Sequence, residues 1–313
     1  MMIVLFHYNN DIFEIKSKKE DKMKDICNIF KKEIKLLNVN LYYLCGENEI
    51  NEDLTLSEQI IESDISINNI NIFVFDRDNI ISIIYKIKGN DKIIRIFGET
   101  FVNNNKNICK IFCRNIIYEL TEYICIENNK SDFLEIKLIG IREVKNMKGL
   151  FNNCTSLYCL PDISEWKTDK VIDMSFLFYG CVSLYQSQSD IINGHLNELN
   201  KLLESSKIIE KNNNTEINLL DNYPHAIGKN SNKEKYLSPK YQKSFYDISK
   251  WNTKNVTDIS FLFAGCESLI LLPDISEWNI EKVTTISGIF ADCTSIEKSP
   301  DISKMDNKLM VLV

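Results

Sequence analysis

The sequence predicts three parts: an α+β domain at the N-terminus, a small β-rich cap, and a solenoid built from 27-residue modules. Three observations carry this. The first 76 residues read as strand, turn, strand, helix, short strands and a closing strand. The next stretch is a series of short apolar runs divided by Gly and Asn punctuation. The remainder repeats itself: "LFNNCTSLYCLPDISEW" from Leu150 and "LFAGCESLILLPDISEW" from Leu262 share one frame.

The N-terminal element, residues 1–76, opens with "MIVLFHYNN" and "DIFEIK", joined by Asn9-Asn10 as a hairpin turn. "KKEDKMKDICNIFKKEIKLL" follows and sets Met23, Ile26, Ile29, Phe30, Ile34 and Leu37 at helical spacing. "LYYLCGENEINEDLTLSEQI" and the strand "NINIFVFD" complete it. This order resembles the ubiquitin-like (β-grasp) fold, most closely between Leu41 and Ile60. The resemblance implies an integral docking domain whose recognition patch would fall near Tyr43 and Phe73 or Phe75. No diglycine tail follows, since Phe75-Asp76-Arg77-Asp78 runs on into more chain, so conjugation through this segment is not expected.

Residues 77–143 contain "IISIIYKIK", "KIIRIF", "ICKIFC", "IIYELTEYICI" and "FLEIKLIGI". They read as a β-rich cap whose last strand feeds directly into Val144, covering the first face of the repeat. Cys109 and Cys113 sit four apart with no histidine nearby, which suits alternating strand residues better than zinc.

From residue 144 to 313 the offsets are fixed. Cys154 and Cys181 are 27 positions apart, and so are Cys266 and Cys293. Val144 with Val171, Val256 with Val283, Phe151 with Phe178 and Phe263 with Phe290 keep the same step, as do Trp251 and Trp278. Trp166 holds the equivalent place in the first module. A period of this size is the mark of one supersecondary unit stacked on its own copies. A lone module could not bury enough apolar surface to offset the entropy of ordering its backbone.

Two polar columns accompany the apolar ones. In Pro-Asp-Ile-Ser, proline presets φ and the aspartate accepts a backbone N–H two residues on, so Asp162, Asp274 and Asp301 read as turn locks. The competing reading is a carboxylate row for metal or acid–base work. The cysteine column reads as small buried side chains, against disulfides or metal thiolates.

The frame Phe-x-x-Cys-x-Ser-Leu-x-x-Leu-Pro-Asp-Ile-Ser-x-Trp, followed by Asn-Thr-x-x-Val as at Trp251 to Val256, resembles the BspA-like leucine-rich repeat surface proteins. The resemblance implies a leucine-rich repeat solenoid that binds other macromolecules. It implies no chemistry.

The repeat is broken once. Cys181 and Cys266 are 85 positions apart, which fits one module split by an insert at about residues 187–244. Two degenerate modules are the alternative. Inside it, Leu196, Leu199 and Leu203 form a helical stripe, either packed on the solenoid flank or offered to a partner. The chain then ends in "LMVLV", an apolar end face through which self-association is expected unless its own insert covers it.

Composition excludes other classes. The chain has 313 residues and a formal charge of −7, with no basic stripe, which argues against nucleic acid. No run is long enough for a membrane span. The start lacks a basic, apolar leader, so the ten cysteines are expected reduced and the chain cytoplasmic, with the cell surface as the alternative that the family name suggests. His7, His195 and His225 lie in no catalytic or metal spacing, and no phosphate-cradling glycine loop is present. A non-catalytic protein-binding scaffold without cofactor is therefore expected. The alternatives are an adaptor of the ubiquitin/proteasome system or a surface adhesin.

Overall fold

The computed structural model of the chain describes residues 2–36, 39–46, 48–59, 69–88, 91–127, 131–160, 163–184, 248–269, 275 and 277–296. The chain divides into two compact units. The first comprises Met1–Ser82, Asn105–Leu120 and Ile136–Val144, and the second Ile83–Asn104, Thr121–Glu135 and Lys145–Val313.

In the first unit, β1 (Met2–Tyr8) and β2 (Asp11–Ser17) form an antiparallel hairpin. Asn9 and Asn10 have φ of 50° and 72°, the two left-handed positions that a two-residue hairpin turn requires. β1 also pairs in parallel with β5 (Asn69–Asp76), which pairs antiparallel with β3 (Leu41–Cys45). With β4 (Asn48–Glu49) the sheet order is β2-β1-β5-β3-β4.

Helix α1 (Met23–Glu33) buries Met23, Ile26, Cys27 and Phe30 against one face of this sheet, with the Phe30 ring stacked on Phe6 at 4.5 Å. Ile29, expected on that face, is 50% exposed. The helix ends where Lys35 turns left-handed at φ 57°, and Lys31 and Lys32 complement the negative end of its dipole. A short helix α2 (Leu56–Gln59) starts with a capping box, in which the Glu58 carboxylate accepts the Thr55 backbone N–H at 2.8 Å.

The rest of the regular structure is β6 (Ile80–Lys86), β7 (Ile93–Arg95), helix α3 (Glu99–Asn105), β8 (Lys110–Cys113), β9 (Ile116–Glu119), β10 (Tyr123–Cys125), β11 (Phe133–Ile139) and β12 (Leu157–Cys159). A second five-stranded sheet has the order β12-β6-β11-β8-β9, and β10 and β7 form a two-stranded one. No helix among the described residues is long and apolar enough to cross a membrane.

The fold class expected from the sequence is corrected on each part. The described residues are mostly β-sheet with three short helices. The expected ubiquitin-like (β-grasp) domain does not close at residue 76, because the second face of its sheet is buried too. Tyr42, Leu44 and Phe75 pack there with Phe112, joined by Phe73, Ile80 and Ile139.

Residues 77–143 form no separate cap. Phe112 completes the core of the first unit, while Tyr85 and Ile84 of β6 pair with Leu157 and Cys159 of β12 in the second. A leucine-rich repeat solenoid, with a strand in each module, is also not what forms. Neighbouring modules meet in isolated parallel bridges, Asn146 to Asp173, Asp173 to Asp258 and Asp258 to Thr285. The one strand within the described modules, β12, pairs antiparallel with β6 instead.

The cause lies in the backbone. Each module carries two residues at positive φ: Gly149 and Asn153, Phe176 and Gly180, Phe261 and Gly265, Gly288 and Asp292. A left-handed residue reverses the extended course of the chain, so no strand can run through it.

Candidate interaction surface

The modules of the second unit lie level upon level. Met147, Gly149, Phe151 and Asn153 donate their backbone N–H groups to the carbonyls of Asp173, Ser175, Leu177 and Tyr179, at 2.7 to 2.9 Å. Met174, Phe176, Phe178 and Gly180 donate in the same way to Asp258, Ser260, Leu262 and Ala264. Ile259, Phe261, Phe263 and Gly265 donate to Thr285, Ser287, Ile289 and Ala291. Residues 171–184 thus face 256–269 directly.

The repeated side chains form interior columns. Phe151, Phe178, Phe263 and Phe290 stack with centroids 5.6, 5.0 and 5.7 Å apart. Trp166, Trp251 and Trp278 stack at 5.7 and 5.9 Å. The indoles of Trp251 and Trp278 donate to the carbonyls of Ile163 and Ile248, both at 2.8 Å.

In the cysteine column, the three thiols after Cys154 each donate to a phenylalanine carbonyl of the level before. Cys181 reaches Phe151 at 3.1 Å, Cys266 reaches Phe178 at 3.2 Å and Cys293 reaches Phe263 at 3.0 Å. Burial pushes the thiols of Cys154, Cys181 and Cys266 well above their ordinary range. Such thiols are inert at neutral pH.

One column is built differently. At the first left-handed position the outer modules have glycine (Gly149 and Gly288) while the inner two have Phe176 and Phe261, at φ 57° and 53°. A bulky side chain in this region is a genuine outlier. Neither ring is buried in the core; both are half-exposed. They stack on each other at 5.0 Å with their planes 17° apart. Tyr179 leans on Phe176 at 5.6 Å, and the Lys148 ammonium lies 5.6 Å from the Phe176 ring centre.

At the other end the Phe261 ring lies over Gly288, where an added Cβ would come within 2.6 Å of its Cε1. Gly288 is thus the space that lets this ring lie flat along the surface. The result is an aromatic ladder with a cation at one end, a surface suited to apolar contact with a partner. Among the described residues no group of three or more His, Cys, Asp or Glu could hold a metal ion.

The residues singled out in the sequence fall elsewhere. The Phe, Cys and Trp columns are interior, apart from the half-buried Phe290 and Cys293 of the last level. Tyr43 is a correction: it is 4% exposed, packed edge-on against Phe6 and Phe30, and is not on a recognition surface. Phe73 is half-buried between His7 at 4.7 Å and Phe112 at 5.0 Å. Leu196, Leu199 and Leu203, the aspartates Asp162, Asp274 and Asp301, and the end segment 309–313 lie outside the described residues.

Turn locks of the expected kind occur at another column. The side chains of Asn146, Asp173 and Asp258 accept the backbone N–H groups of Lys148, Ser175 and Ser260. The missed residues are Phe176 and Phe261. Their signal was a column that holds glycine at both outer positions and phenylalanine at the two inner ones, the mark of a left-handed position occupied by an unsuitable residue.

The family described as "Mycoplasma protein of unknown function, DUF285" matches residues 125–219 and 234–311, more than half of the chain. The chain belongs to this family. DUF285 is linked to BspA-like surface proteins, and its description assigns no activity. The break in the DUF285 match, between residues 219 and 234, falls where the sequence departs from its period. No curated protein matches the chain.

Proposed function

We propose that the chain is a non-catalytic scaffold that holds a protein partner on the face carrying Phe176, Phe261, Tyr179 and Lys148. One observation carries this reading: two bulky aromatics occupy left-handed backbone on a half-exposed face, where glycine serves the same turn in the neighbouring modules. Strain of this kind costs on the order of 1–3 kcal/mol and persists where it serves a site. The rings are not required for the interior, which is filled by the separate Phe151 to Phe290 column. Half-buried aromatics beside a cation have the composition of binding hot spots. The link of DUF285 to surface proteins supports a binding role.

The test compares proteins captured from a cell lysate by the wild-type chain and by the double variant Phe176→Gly/Phe261→Gly. Glycine keeps the backbone turn and removes the rings. A partner set lost in the double variant, with the circular dichroism spectrum unchanged, supports the reading. An identical set from both chains removes the aromatic ladder as the binding face.

A further inference from the structure

The edges of the two five-stranded sheets are protected, with one exception. A sheet edge offers a row of unpaired N–H and C=O groups, and folded chains blunt it with charge, shortness or cover. β2 carries the exposed charges Glu14 and Lys16 along its edge. β4 is two polar residues long, and β12 is buried throughout. β9 has none of these devices. All four of its residues are exposed, with Ile116, Ile117 and Tyr118 at 52%, 45% and 37%. It holds no proline or lysine, and its register with β8 runs without a bulge. Its one charge, Glu119, is drawn to Lys110 of β8 at 3.0 Å and does not guard the outer side.

The hairpin fixes which backbone groups are open. Arg114 and Asn115, at φ 50° and 63°, make a two-residue turn, so the flanking Cys113 and Ile116 form a hydrogen-bonded pair. Bonding alternates along an antiparallel ladder, which makes Ile111 and Tyr118 the next such pair. The N–H and C=O groups of Ile117 and Glu119 therefore point away from β8. Among the described residues no strand pairs with that side of β9. Side chains alternate too: Ile116 and Tyr118 share one face, and Ile117 and Glu119 the other.

We propose that this edge pairs with β9 of a second copy of the chain, antiparallel about a two-fold axis at Ile117. In that register Ile117 of each copy donates to and accepts from Ile117 of the other. Ile116 lies opposite Tyr118 on both sides of the axis, a favourable cross-strand match of a β-branched with an aromatic side chain. Charge selects the direction. The strand runs from Arg114 at the turn to Glu119 at its far end, so antiparallel pairing brings opposite charges together. A parallel arrangement would set Glu119 against Glu119, and an axis at Tyr118 would set Ile117 against Glu119. The edge is thus complementary to itself in backbone polarity, side chains and charge, as a two-fold contact requires, which singles out a second copy over an unrelated strand. Four residues a side is a small contact, below the about 800 Å² per partner of a standard interface, so the dimer is weak and concentration-dependent.

The experiment is sedimentation velocity on the full chain from on the order of 1 µM to on the order of 1 mM, with Ile117→Lys and Ile12→Lys as variants. Ile12 is 61% exposed on the β2 edge, so its variant adds the same charge away from β9. Wild type and Ile12→Lys pass from monomer to dimer over this range, and Ile117→Lys weakens the association by about tenfold or more. Amide exchange by NMR on the wild type fixes the register and needs no variant. Ile117 and Glu119 gain protection as the chain associates, while Ile116 and Tyr118, already bonded to β8, are protected in dilute chain as well. Four results overturn the proposal. They are a monomer across the whole range, a dimer that Ile117→Lys leaves intact, equal weakening by both lysines, and protection of Ile117 in the dilute monomer, which would mean that the chain covers its own edge.

Discussion

Phe178 and Phe263 stand 85 positions apart in the sequence, yet their rings stack at 5.0 Å with planes 12° apart, and neither is exposed. Contact at this distance leaves no room for a further level between them. Phe263 also touches Phe290, so it is one of the two inner members of its column. Phe263→Ala is expected to destabilise the chain by about 3–5 kcal/mol, the range for truncating a fully buried phenylalanine. A urea melt that moves by less than about 1 kcal/mol would place this side chain outside the cooperative core.

The left-handed ladder predicts a reversed order of small residues. At an ordinary position alanine is more favourable than glycine. At Phe261, with φ 53°, the Cβ of alanine keeps the backbone strain and glycine removes it. Phe261→Gly is expected to be more stable than Phe261→Ala by about 1 kcal/mol. Equal stabilities, or alanine ahead, would mean that the backbone relaxes out of the left-handed region once the ring is gone.

The tryptophan column predicts an asymmetry. Trp251 donates its indole N–H to the Ile163 carbonyl, whereas the buried indole N–H of Trp166, first in the column, has no partner among the described residues. Trp251→Phe removes a buried hydrogen bond and leaves the Ile163 carbonyl only the longer bond from the Trp166 backbone N–H at 3.4 Å, at a cost of about 0.5–1.5 kcal/mol for the polar group alone. Trp166→Phe loses no bond and relieves an unpaired donor, so it should cost less. Thermal melts of the two variants compare them directly; a larger loss at Trp166 would contradict the column geometry.

How much of this was legible depended on what kind of signal each residue sent. The columns were legible because every level reuses the same volume, and so fixed offsets of Phe, Cys and Trp survive in the sequence. The lack of a strand repeated in each described module was not, because it rests on Asn153 and Phe176 taking left-handed backbone as readily as Gly149 does. Neither residue type announces this alone. Tyr43 was misplaced because β3 is buried on both faces. Leu41, Tyr43 and Cys45 face the α1 core, and Tyr42 and Leu44 face Phe75 and Phe112. The unbroken apolar run "LYYLC" is the pattern of a strand covered on both sides. The end of the first unit was hidden for the same reason, since Phe112 reaches it from distant sequence.

The buried thiols give the chain a predictable weakness to alkali. Burial holds Cys154, Cys181 and Cys266 protonated well above the ordinary range, and it pushes Cys27 and Cys109 up to about 12. A folded pKa above the unfolded one means that the native state keeps protons which the unfolded state has already released. The stabilising contribution is therefore full below the unfolded thiol pKa, about 8.5, and declines as the pH rises beyond it. Each such thiol lowers stability by about 1.4 kcal/mol per pH unit once the unfolded thiol is ionised. The buried hydroxyls of Tyr43 and Tyr85, also pushed upward by burial, add to the decline at higher pH. The denaturation midpoint should be level through neutrality and fall steeply above about pH 9. Cys266→Ala separates the thiol contribution from the rest: it lowers stability at neutral pH through lost packing, but its alkaline slope is shallower than that of the wild type by one thiol. Parallel slopes for the two chains between about pH 9 and 11 would show that Cys266 is not sheltered in the folded state.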